Sequence, residues 1–76
     1  MTIFENAAKL VDDAWALKTR GYVDWSAEVL ARASTVLQRI FSAAIADEIV
    51  EAALLSGRPV LEVANILVRK GGDSAA

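Results

Sequence analysis

Ile40-Phe41-Ser42-Ala43-Ala44-Ile45-Ala46 is an uncharged run bounded by Arg39 and Asp47, and its reading decides the fold. Wound as a helix it is apolar nearly all round, the pattern of a segment buried on every side. Its flanks favour helix straight through it. Neither glycine nor proline occurs between Gly21 and Gly57, where Ala, Leu, Val, Ile, Glu and Arg dominate. The expectation is one continuous helix over residues 25–56, starting at Asp24 or Ser26 as N-cap. At 1.5 Å per residue it would be about 48 Å long. A compact globule of this chain length is only about 30 Å across.

The polar side of this stretch changes direction along its length. Glu28, Arg32, Thr35, Arg39 and Ser42 share one stripe in the first half, whereas Asp47, Glu48 and Glu51 lie on a side rotated by roughly 140°. The apolar faces rotate with them. Val29, Leu30, Ala33, Val36 and Leu37 serve the first half; Ile45, Ile49, Ala52 and Ala53 serve the second.

Outward from the centre, residues 3–20 read as a first helix. Thr2 with Glu5 three residues on is a capping-box pattern, and Gly21 supplies a left-handed stop. Residues 59–70 read as a third helix, with Pro59 at its first position and Gly71 ending it. Residues 1–70 thus form a single helical domain, and 71–76 a flexible C-terminal tail. The fold expectation is all-α, a short–long–short chain whose two hairpins lie on different sides of the central helix. Such a chain leaves the 40–46 run uncovered. A second copy crossing there would bury it, giving a helical-bundle homodimer or larger homo-oligomer with Ile40, Phe41, Ala44 and Ile45 in the seam. The competing reading breaks the helix near Ser42 and closes the chain into a monomeric four-helix bundle.

Composition bounds the function. The 76 residues are 55% hydrophobic and contain neither cysteine nor histidine, so disulfides and the commonest metal ligands cannot support so small a core. A mean hydropathy of +0.38 is rich for such a chain. It argues for surface buried against another polypeptide. Without histidine the usual general acid–base is missing, and Ser26, Ser34, Ser42, Ser56 and Ser74 have no activating base spaced beside them in sequence. The expectation is a non-enzyme with no cofactor. Asp47, Glu48 and Glu51 fall near one helix face, but the Glu-x-x-His pair of bundle metal sites is absent, so they read as a solvated acidic patch and no metal is assigned.

Two further groups are candidate contact residues. Trp15, Tyr22 and Trp25 surround the first turn, either plugging the end of that hairpin or serving as anchors for a protein partner. Residues 46–70 have the spacing of a helix-turn-helix, in which Arg58, Asn65, Arg69 and Lys70 would contact nucleic acid. Against that, the start of the reading helix is Pro59, Val60, Leu61 and Glu62, and ten acids outnumber eight bases for a net charge of −2. Nucleic acid is therefore the disfavoured partner. No basic-then-apolar leader or 20-residue apolar span is visible, which makes a cytoplasmic location without membrane contact the expectation. The functional expectation is a small helical protein that self-associates and acts by protein–protein interaction, as an adaptor, inhibitor, regulator or assembly subunit. The alternative is a DNA-binding transcriptional regulator.

Overall fold

The computed structural model describes the backbone of residues 2–75 and the side chains of residues 2–69. Among these residues the chain is all-helical, with four helices rather than three: α1 (Ile3–Thr19), α2 (Val23–Leu37), α3 (Ala43–Ser56) and α4 (Val60–Ala75). The continuous 25–56 helix is the main expectation overturned.

The break falls within the uncharged run. Arg39 and Ile40 donate backbone N–H groups to the carbonyls of Val36 and Leu37, tightening the end of α2 into i→i+3 bonds. Ser42 then adopts extended backbone (φ −65°, ψ 159°), and its hydroxyl accepts the Ile45 N–H at 3.3 Å. A serine cap thus does what glycine or proline does at the other turns. Breaking here also lets one chain cover part of what a straight helix would leave bare. Phe41 swings onto the core and meets Phe4 edge-on, with ring centroids 6.3 Å apart, and Ala46 is fully buried.

The other boundaries follow local chemistry. At α1, the Thr2 hydroxyl accepts the Glu5 N–H at 3.1 Å and donates to the Glu5 carboxylate at 3.2 Å. The helix closes with Gly21 at φ +95°, while the N–H groups of Tyr22 and Gly21 reach the carbonyls of Leu17 and Lys18. That pair of bonds is the Schellman motif. α2 starts at Val23 with Tyr22 as its N-cap and no side-chain cap bond, so neither Asp24 nor Ser26 has the capping role expected of it. α3 ends on left-handed Gly57 at φ +73°. The Pro59 carbonyl accepts the Val63 N–H, which places Pro59 one position before the first helical residue. α4 continues to Ala75, past the glycines at 71 and 72 where the sequence reading ends it.

α1 lies at the centre, against α2, α3 and α4; α3 also packs on α2 and α4. The rotation of the polar stripe is therefore real, but its consequence is a reversal of the chain. Val29, Ala33 and Leu37 of α2 and Ala46, Ile49, Val50 and Ala53 of α3 turn toward one shared core. Among the described residues, six of the thirteen buried hydrophobic ones are alanine and none is aromatic. Small side chains bring the helices close but contribute little apolar area each, at about 25 cal/mol per Å². The bulky side chains lie elsewhere.

Candidate functional site

The side chains left outside the core define the surface on which this protein can act. Trp15, Tyr22, Val23, Trp25, Ile40, Ile45, Leu55, Leu61, Ile66 and Val68 are all more than a third exposed, and Leu55 reaches 71%. Trp15, Trp25 and Leu55 among them each line an open groove, the three grooves measuring about 370 to 500 Å³. The largest is walled by Trp15, Val11, Leu54, Pro59 and Val60, where α1 meets the α3–α4 turn. Trp25 lines the second, between α1 and α2, with Leu10, Leu17 and Val29. The third lies between α2 and α3.

The residues expected to form one seam are separated by the break. Ile40 stays in the turn and is half exposed, Phe41 turns inward onto Phe4, and Ala44 and Ile45 remain exposed about 100° apart around α3. The aromatic trio divides as well. Tyr22 and Trp25 touch edge-to-face with centroids 6.0 Å apart, whereas Trp15 faces the α3–α4 turn in a different groove. All three are more than half exposed, so they do not plug the end of the first hairpin.

The helix-turn-helix candidates are exposed. Arg58 pairs with Glu62 at 3.5 Å, and the outward stripe of α4 carries Glu62, Asn65 and Arg69. The side chain of Lys70 lies outside the described residues.

One grouping runs against the sequence reading. Ser34, expected to lack a base, donates its hydroxyl hydrogen to Oδ1 of Asp47, and Gln38 Nε2 donates to the same serine oxygen at 3.2 Å. The hydroxyl is enclosed, however: Ser34 is 3% exposed. The arrangement ties α2 to α3 and offers a substrate no access to the oxygen. Ser26, also buried, is engaged similarly, its hydroxyl donating to the Ala14 carbonyl at 2.7 Å. Both serines interrupt otherwise apolar helix faces, and that interruption is the signal in the sequence that marks them as cross-helix ties.

Asp47 is thereby drawn to the α2 side, where Glu51 one turn on lines the same groove, while Glu48 stands on the outward side of α3. Among the described residues no three acidic, histidine or cysteine side chains are placed to hold a metal ion. No helix among them is long and apolar enough to cross a membrane. No family model, no curated protein and no solved structure matches this chain.

Proposed function

We propose that this is a non-enzymatic helical protein that works by binding polypeptide, with a second copy of itself as its first partner. One observation carries the reading: the core is built largely from alanine and valine, while Trp15, Trp25 and Leu55 line surface grooves and Ile40, Ile45, Leu61 and Ile66 stand exposed beside them. Isolated surface hydrophobics are ordinary, but grooves lined by them are the usual form of a helix-binding surface. The acidic pI of about 4.9 and the lack of histidine fit the same reading. Association linked to folding makes thermal stability depend on protein concentration. The melting temperature should therefore rise with concentration across a wide dilution series. A concentration-independent melt would count against self-association.

DNA reading by residues 46–70 is a second reading with one supporting observation. Asn65 and Arg69 are exposed one turn apart on α4. Glu62 on the same stripe, holding Arg58 beside it, repels phosphate and weakens this reading. A gel-shift titration over a salt series separates the two. Binding that falls steeply with salt supports DNA recognition, and no shift at low salt removes it.

A further inference from the structure

We propose that the groove between α2 and α3 receives α4 of a second copy, laid antiparallel to the α3 that lines it, with Leu61 and Val68 as its two anchoring side chains. This rests on the self-association proposed above and assigns it a surface, a register and a direction.

The groove is about 450 Å³ in volume and runs from Ala27 to Ser34 along α2 and from Leu54 to Asp47 along α3. Ser34 bonds Asp47 at one end, and Ala27 and Leu54 line the other, so the two helices are antiparallel and the channel between them is seven residues long on each side. That is about 10.5 Å. Leu30 and Val50 line its wall, and the small side chains of Ala27 and Ala31 leave room for a helix.

α4 supplies a matching ridge. Among the described residues, its own chain holds it through Val60, Val63 and Ala64, against α1 and α3 but not against α2. Leu61 and Val68 are left outward, 50% and 52% exposed. They too are seven residues apart, on one stripe and separated by about 10.5 Å along the axis.

Charge sets the direction. The Ser26 hydroxyl bonds the Ala14 carbonyl, so Lys18 one turn further along α1 lies at the Ala27–Leu54 end of the groove, and Asp47 with Glu51 marks the rest of its α3 side. On α4, Glu62 follows Leu61 and Arg69 follows Val68. With Leu61 at the Leu54 end, Glu62 meets Lys18 and Arg69 meets Asp47. The reverse orientation sets Glu62 against Asp47 and Arg69 against Lys18, two like-charge contacts.

The test measures molar mass by light scattering across a dilution series, with circular dichroism confirming helix content. The combined variant Leu61→Ser with Val68→Ser, and separately Ala31→Trp, should each shift the protein toward the single chain. Both alter exposed positions. Mixing the two should restore association, because one retains an intact groove and the other an intact α4. Lys18→Glu alone and Glu62→Lys alone should each weaken association several-fold, and the two together should recover most of it. If the unaltered protein associates but keeps its mass through all these changes, the groove assignment is wrong while self-association stands. A swapped pair without recovery overturns the register. A single chain at every concentration overturns the reading on which the proposal rests.

Discussion

The hydroxyl of Ser34 donates a hydrogen bond to the carboxylate of Asp47, joining the end of α2 to the start of α3 across the break in the chain. The acceptor is charged and the donor is buried, so the bond belongs to the stronger class of side-chain hydrogen bonds. Ser34→Ala should destabilise the fold by about 1–3 kcal/mol. Asp47→Ala should cost a similar amount, and the double variant should cost clearly less than the sum of the two. Urea denaturation of the four proteins measures the coupling. Strict additivity would mean that the two side chains do not act as a pair.

Phe41 belongs to the fold of its own chain through Phe4. Replacing either phenylalanine with alanine should lower stability, with a coupling between them of about 0.5–1.5 kcal/mol from the edge-on contact. If Phe41→Ala instead left folding untouched and only dissociated an oligomer, the ring would lie in a seam between copies.

The contrast between Phe41 and the glycines shows how far the fold is legible from residues alone. Gly21 and Gly57 announce their turns, because left-handed backbone favours a residue without Cβ, and both stand at positive φ. The break at Ser42 announces itself only weakly. Its cap bond goes to the N–H of Ile45, and with isoleucine rather than Glu or Gln at that position the reciprocal capping-box pattern is missing. Helix propensity alone then favours continuity through residues 38–42, and tertiary burial of Phe41 and Ala46 overrides it. The apolar faces of α1 and α2 were readable by period: Ala7, Val11, Ala14, Val29, Ala33 and Leu37 are all in the core. The exposure of Trp15 and Trp25 was not readable, since periodicity places a side chain on a face without saying whether a neighbour covers it.

Ser42→Ala removes the cap that replaces a helix breaker. It should cost about 1 kcal/mol, whereas Ser42→Gly should cost only a few tenths. Chemical denaturation distinguishes them. Equal losses would place the cost in the backbone rather than in the hydroxyl.

Gly57 offers a conformational test free of steric interference, because a Cβ built there meets no other atom within 4 Å. Gly57→Ala should therefore cost about 1–2 kcal/mol, the penalty of left-handed backbone for an L side chain. A neutral result would mean that the α3–α4 turn relaxes to another conformation.

Glu48 stands on the outward stripe of α3, exposed and outside both the core and the α2–α3 groove. Glu48→Lys should change stability by less than about 0.5 kcal/mol and leave association unchanged. Dissociation or a large loss of stability would move the contact surface to this face.

A second copy is proposed to cover the apolar side chains outside this thin core. Solution molar mass of the unaltered protein, measured by light scattering from concentrated to very dilute samples, decides whether it does. Self-association gives at least twice the 8.1 kDa of one chain in concentrated samples, falling toward one chain on dilution. A folded species of 8.1 kDa at every concentration would contradict it.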